Sequence, residues 1–315
     1  MGKHILVTGG AGFLGSNLLN KLIKDPKIEK ITCLDNLQTG SLNNLKYLMD
    51  DKKIEILVAD IIEPIDLRVD QIWNLACPAS PPAYQKDPIK TLKTSIFGIV
   101  NMAELAIKNS CQLFHTSTSE VYGDPTTKEQ SEDYWGNVNP VGIRSCYDEG
   151  KRAAETLLAD YHRCQGLECK IVRIFNTFGP GMSPNDGRVV TNFITQSLLG
   201  EDITIYGDGT QTRSFCFVDD LIDGFMAMHL SDASIIGPVN LGNTHEFTML
   251  EFAEKVIKLT GSKSKITFVA LPQDDPKQRK PDISKAKKLL GWEPKVPLED
   301  GLRETIKYVK TQIKI

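Results

Sequence analysis

Tyr147 and Lys151 stand four residues apart, and on a helix that spacing puts both side chains on one face. A tyrosine of ordinary pKa, near ~10, is a poor base at neutral pH. A nearby ammonium favours the phenolate, so the pair predicts a tyrosine of lowered pKa that can take a proton from a hydroxyl. Upstream, Thr116-Ser117-Thr118-Ser119-Glu120-Val121-Tyr122-Gly123 gathers hydroxyls and one carboxylate. Thr118 is the candidate to hydrogen-bond the reacting oxygen beside Tyr147. Glu120 is the candidate acid, base or water-positioner. Alone, an i,i+4 pair is ordinary surface chemistry and a Ser/Thr cluster is ordinary turn chemistry. Their meaning depends on the elements that position them.

Those elements begin with a glycine turn. Thr8-Gly9-Gly10-Ala11-Gly12-Phe13-Leu14-Gly15 contains G-x-G-x-x-G at Gly10, Gly12 and Gly15, between an apolar run over 4–8 and a helical pattern over 13–24. Such a turn brings backbone close to a pyrophosphate and aims a helix N-terminus at it. Asp35 lies 20 residues beyond Gly15, at the end of a second strand over 30–34, where a carboxylate can bond ribose hydroxyls. It would repel a 2′-phosphate, which favours NAD over NADP. Asp60 and Leu75-Ala76 end strands over 54–59 and 71–76, and Asp60 could accept from an adenine amino group. A helix over 91–107, a strand over 112–116, the helix over 147–162 carrying Tyr147, and a strand over 169–175 continue the alternation. The pattern predicts an α/β fold: a Rossmann-like, doubly wound parallel sheet in residues 1–178 that binds NAD. Beyond Phe178, shorter segments around a helix over 189–199 predict a smaller mixed α/β substrate-binding lobe over 179–315. The boundary is soft, and chain crossovers between the two parts are left open.

Bulk properties exclude other classes. With 41% hydrophobic and 24% charged residues the composition is that of a globular chain, not a disordered one. A net charge of -3 gives no basic footprint for nucleic acid. No apolar run approaches the ~20 residues of a membrane span, and the start shows no leader pattern. Seven cysteines lack any Cys-x-x-Cys spacing, so no metal site is expected and free thiols in the cytoplasm are the simple expectation.

The three chemical motifs, in this order, resemble the extended short-chain dehydrogenases that act on nucleotide sugars. More specific stretches resemble the UDP-glucuronate decarboxylases (UDP-xylose synthases). These are residues 74–84 (NLACPASPPAY), 134–140 (YWGNVNP), 146–152 (CYDEGKR), 186–190 (DGRVV), 211–215 (QTRSF) and 274–282 (DDPKQRKPD). The resemblance runs from about His4 to Leu302. It implies catalytic roles for Tyr147, Lys151, Thr118, Glu120 and Arg279. It implies NAD contacts at Gly9, Gly12, Phe13, Leu14, Gly15, Asp35, Asn36, Thr39, Gly40, Asp60, Ile61, Leu75, Thr94, Tyr147, Lys151 and Thr177. The UDP-sugar would meet Pro81, Tyr84, Lys93, Asn176, Arg188, Tyr206 and Arg213, the arginines suiting a diphosphate. The sequence departs from the family pattern at Gly181, where an Arg is expected, at Ser183, where a His is expected, and at Asp66, where an aromatic residue is common.

The implied reaction oxidises the sugar at C4, loses the C5 carboxylate from the resulting β-keto acid, and re-reduces C4 with the same NAD. Neighbouring families share the first step. The 4,6-dehydratases carry an Asp where this chain has Ser119, and the 4-epimerases generally lack a Glu at position 120. A non-enzymatic, dinucleotide-binding sensor would usually have lost the Tyr or the Lys. The resemblance also implies a homodimer, with the helices over 91–107 and 147–162 forming a four-helix contact.

Overall fold

The computed structural model describes residues 2–271 and 278–314. Within the stretch over 274–282, Asp274 to Lys277 lie outside the described residues. The first part runs β1 (Lys3–Thr8), α1 (Phe13–Leu22), β2 (Ile28–Asp35), β3 (Ile54–Val58), β4 (Gln71–Asn74), α2 (Pro81–Lys86), α3 (Pro88–Asn109), β5 (Gln112–Thr118), α4 (Ser145–Gln165) and β6 (Cys169–Ile174). Then come β7 (Thr177–Phe178), α5 (Val189–Leu199), β8 (Ile203–Tyr206), β9 (Thr212–Ser214), β10 (Cys216–Phe217), α6 (Val218–His229) and β11 (Val239–Leu241). The chain closes with β12 (Glu246–Thr248), α7 (Met249–Thr260), β13 (Ile266–Val269), β14 (Gln278–Arg279), α8 (Ser284–Leu290) and α9 (Leu298–Ile313).

Seven strands form one parallel sheet in the order β11-β6-β5-β4-β1-β2-β3. Helices cover both faces, so the strands are apolar almost without interruption: Ile5, Leu6 and Val7 are all fully buried. The chain moves outward from β1 to β3, then returns to place β4 beside β1. The order reverses between β1 and β4, and ligands of such sheets bind at the strand carboxyl ends beside this reversal. Thr8, Asp35, Asn74 and Thr118 are the terminal residues of β1, β2, β4 and β5 at that edge.

The helices that carry the site extend further than the apolar spacing predicts, because their ends are set by caps. Asp87 accepts from the Lys90 N–H at 3.0 Å and Pro88 opens α3. Gly166, at φ 70°, ends α4. The strand over 112–116 continues through Thr118, which places Thr118 at the sheet edge itself.

The chain crosses back from the second part. β11 pairs with β6, and α6 packs on the same side through Phe225, whose ring lies 5.2 Å from that of Phe114 on β5. Lys170 on β6 is fully buried, and its ammonium donates to the carbonyls of Ser231, Asp232 and Ile235 just after α6. The smaller lobe holds the antiparallel β12–β9 pair, β14 parallel to β9, and the β8–β13 pair against α5 and α7. Arg213 on β9 and Arg279 on β14 stand side by side in register.

Candidate active site

Two cavities meet at the carboxyl edge of the sheet. The smaller, about 380 Å3, follows the glycine turn and the ends of β1, β2 and β4. The larger, about 580 Å3, lies between β5, α4 and the second lobe. Phe13, Leu14, Leu75, Cys77, Ala79 and Arg188 line both, so the two form one continuous cleft.

The smaller cavity is shaped for a dinucleotide. A Cβ on Gly15 would fall 2.1 Å from the Gly9 carbonyl oxygen and 2.6 Å from the Gly10 Cα, so only glycine lets α1 start this close to β1. No side chain caps the first turn of α1, which leaves its N–H groups for an anion. The Asp35 carboxylate accepts from Ala11 N–H at 3.0 Å and Leu37 N–H at 2.8 Å. A carboxylate has about four lone-pair sites, so acceptor capacity remains for ribose hydroxyls. Burial raises the Asp35 pKa while these two N–H groups oppose the rise. Burial also works against the Asp60 charge, but Lys90 (2.5 Å), Asn36 (2.8 Å) and the Ile62 N–H overcome it and hold the pKa below the usual range. Gly9, Gly12, Phe13, Leu14, Gly15, Asn36, Thr39, Ile61, Leu75 and Thr94 also line this cavity. Gly40 lies beneath it, where a Cβ would fall 2.8 Å from the Asp35 carboxylate oxygens. Gly181 and Ser183, two of the departures, line the same cavity, and Asp66 is at the surface beside Lys108.

The larger cavity brings together Thr118, Glu120, Tyr147, Lys151 and Arg279, with Pro81, Asn176, Thr177, Arg188, Tyr206 and Arg213. Lys151 is buried and donates to the Thr116 carbonyl at 2.8 Å. Its ammonium lies 6.0 Å from the centre of the Tyr147 ring. The Tyr147 hydroxyl bonds Thr118. The expected lowering of the Tyr147 pKa is reversed in the protein alone. Burial, with the Cys77 sulfur and the Glu120 charge close by, pushes it well above the ordinary value, and the Thr118 bond only partly opposes this. Burial likewise lowers the Lys151 pKa.

Two of the substrate candidates stand apart from the cavity lining. Lys93 is exposed on α3 and lines neither cavity. Tyr84 is fully buried behind Tyr147, with the two rings parallel at 5.0 Å. Its hydroxyl donates to Glu120 at 3.5 Å.

Glu120 is the electrostatic centre. Arg144 reaches it at 2.8 Å and Arg279 at 3.4 Å, all three side chains being about nine-tenths buried. Burial disfavours its charge, but Arg279, Arg144 and a hydrogen bond from Asp148 outweigh that and hold its pKa down to about 2. Asp148 is the opposite case. Burial, the Glu120 charge and the same hydrogen bond push its pKa up to about 8, so at neutral pH it is the acid that donates to Glu120. Arg144 and Asp148 escaped the reading of the sequence. The only local trace was their position, three residues before and one after Tyr147. Arg144 precedes the first turn of α4, where a cation opposes the helix dipole, and its side chain is instead directed to Glu120. Cys77, noted in the sequence only as a free thiol, lines both cavities.

Residues 6–305 match the GDP-mannose 4,6-dehydratase family. UDP-glucuronic acid decarboxylase 6 of Arabidopsis thaliana is 55% identical over 299 residues, spanning 95% of this chain and 86% of that protein. The chain belongs to the UDP-glucuronate decarboxylases of the extended short-chain dehydrogenase family. UDP-glucuronic acid decarboxylase 1 of Xenopus tropicalis shares 51% over 311 residues, 99% of this chain and 73% of that protein. Among solved structures, the UDP-glucuronic acid 4-epimerase of Bacillus cereus, in complex with UDP-glucuronic acid and NAD, superposes with a TM-score of 0.88 at 30% identity. That match covers 98% of this chain and 99% of the epimerase. The decarboxylase family and the epimerase thus share one scaffold.

Proposed function

We propose that this chain converts UDP-glucuronate to UDP-xylose and CO2, with NAD held in the smaller cavity and recycled in each turnover. One observation carries the reading beyond family membership. The Arg279 Nε–H is buried at the catalytic cavity and has no hydrogen-bond partner among the described residues. A buried, unpaired guanidinium donor is costly to maintain, and a sugar carboxylate would satisfy it.

The chemistry that bound NAD supplies is reversible hydride exchange at C4. The residues of the chain do the rest. Tyr147 and Thr118 hold the C4 oxygen, and Tyr147 takes and later returns its proton. Lys151 lies along the same face of α4. Once C4 is a ketone, the C5 carboxylate is that of a β-keto acid, and its loss sends an electron pair toward the C4 oxygen. Tyr147 and Thr118 then stand as donors to the developing oxyanion. Arg279 orients the carboxylate, and Arg188 and Arg213 bind the diphosphate. Ser119 cannot act as the acid that a dehydratase requires at its position.

Incubation with UDP-glucuronate and no added NADH, followed by mass spectrometry and proton NMR, tests the reading. A UDP-pentose with released CO2 is the expected result. An isobaric product would mark a 4-epimerase instead, and unchanged substrate with bound NAD would overturn the assignment.

Ile89, Leu92 and Phe97 are exposed apolar residues on α3, and they support a homodimer through α3 and α4. Among the described residues no helix is long and apolar enough to cross a membrane. All seven cysteines are unpaired, which supports placement in the reducing cytoplasm. Sedimentation measurements distinguish dimer from monomer.

A further inference from the structure

The overall reaction leaves one proton unaccounted for by Tyr147. That residue takes a proton from the C4 hydroxyl and gives it back. Departure of the carboxylate as CO2 leaves an electron pair on the sugar as an enolate, and a new C5–H bond must form from a second proton. One proton is therefore drawn from solvent for each CO2 released. The described acids at the site offer one place to hold it. Glu120 is fixed by Arg144 and Arg279, and behind it, away from the cavity lining, Asp148 hydrogen-bonds to its carboxylate. Asp148 is 7% exposed, and its Oδ1 is a buried oxygen without a hydrogen-bond partner. Two buried carboxyls in hydrogen-bond contact hold one proton between them at neutral pH, because the charge on one disfavours ionisation of the other.

We infer that Asp148 is a positioning residue that stores the proton consumed by the reaction and passes it through Glu120 to C5 of the enolate. The inference rests on the decarboxylase reading. In the step, the Glu120 O–H bond breaks as the C5–H bond forms, and the Asp148 proton moves to Glu120. The doubly ionised pair is then balanced by Arg144 and Arg279 until solvent restores the proton. The groups facing Asp148 are Glu120, Arg144, Arg279, Tyr84 and Cys146. Burial pushes both the Tyr84 phenol and the Cys146 thiol upward, so neither competes with the carboxyl pair, whose proton is lost near pH 8.

Asp148→Asn keeps an N–H donor toward Glu120 but has no proton to pass on. In a single turnover of the holoenzyme with UDP-glucuronate, the variant is expected to release CO2 at a rate near wild type. UDP-xylose should then form about a hundredfold more slowly. The alkaline limb of kcat/KM near pH 8 should disappear. Equal slowing of CO2 and UDP-xylose, no slowing of either, or a limb that survives the substitution overturns the inference. A second measurement needs no variant. Wild-type holoenzyme labelled with 13C-aspartate should show the infrared carbonyl band of a protonated acid below about pH 8, and its absence at neutral pH overturns the inference equally. Failure of the decarboxylase reading looks different, because wild type would then release no CO2.

Discussion

Asp148→Asn should make the protein more stable at neutral pH, although it removes a hydrogen-bonded buried group. In the unfolded chain Asp148 ionises near 3.8, whereas in the folded chain it keeps its proton to about 8. At pH 7 folding must therefore protonate it against a gap of about 3.2 pH units, or about 4 kcal/mol at 1.36 kcal/mol per unit. Glu120 works in the other direction, since its pKa falls from 4.5 to about 2. Asparagine preserves the donor that helps hold Glu120 ionised, so that contribution survives while the protonation penalty disappears. The two carboxyls share one hydrogen bond and their contributions overlap, which leaves a net gain of about 2–4 kcal/mol. At roughly 2 °C per kcal/mol for a chain of this size, the melting temperature should rise by about 4–8 °C. The sign follows from the raised folded-state pKa. The Asp148 contribution to wild-type stability is full below about 3.8, declines as pH rises toward about 8, and is flat beyond. The gap between variant and wild type should widen over that interval. Thermal melts of both holoenzymes across it are the assay. A gap that does not widen, or a variant less stable than wild type at pH 7, refutes the reasoning.

Other substitutions separate the parts of the cleft. Tyr147→Phe keeps the ring stacked on Tyr84 but loses the hydroxyl; turnover should fall about a hundredfold or more while bound dinucleotide and melting temperature hold steady. Gly15→Ala forces a Cβ to 2.1 Å from backbone oxygen, and the purified variant should carry little or no dinucleotide by absorbance and mass. Arg144→Met leaves Arg279 as the remaining arginine on Glu120 and should destabilise the fold by about 3–5 kcal/mol. Because Glu120 then titrates above about 2, the loss of stability on the acid side should begin at higher pH, as melts below pH 5 would show. Arg188→Ala should raise KM for the UDP-sugar about tenfold or more and change kcat little, in line with a lost charge-assisted diphosphate bond.

The sequence showed most clearly what is local. The glycine turn, Asp35 at the end of β2 and the Tyr147–Lys151 pair follow from spacing within one turn or one helix, and each reaches the cleft. What it hid depends on contacts between distant segments. Segments far away in the chain, those of Cys77 and Glu120 among them, surround Tyr147, and its burial first of all reverses the direction expected from Lys151 alone. Arg144 and Asp148 carry no motif of their own, and only the fold turns both toward Glu120. Lys93, on the exposed side of α3, shows the reverse: a family position whose place beside a ligand is absent from this geometry. The return of β11 to the main sheet was equally hidden, since a three-residue strand has too few positions to reveal its partner.

That return bears on how the chain can be made. Until residue 241 has left the ribosome, the edge of β6 has no neighbour and Phe114 lacks the Phe225 ring that covers it. The buried Lys170 ammonium likewise has no carbonyls to receive it until residues 231–235 are synthesised. A nascent chain holding every proposed dinucleotide contact through Thr177 is thus still an open, sticky sheet, and the half proposed to hold the cofactor can be completed only after much of the other half exists. For the same reason the two parts should resist being swapped between relatives as separate cassettes.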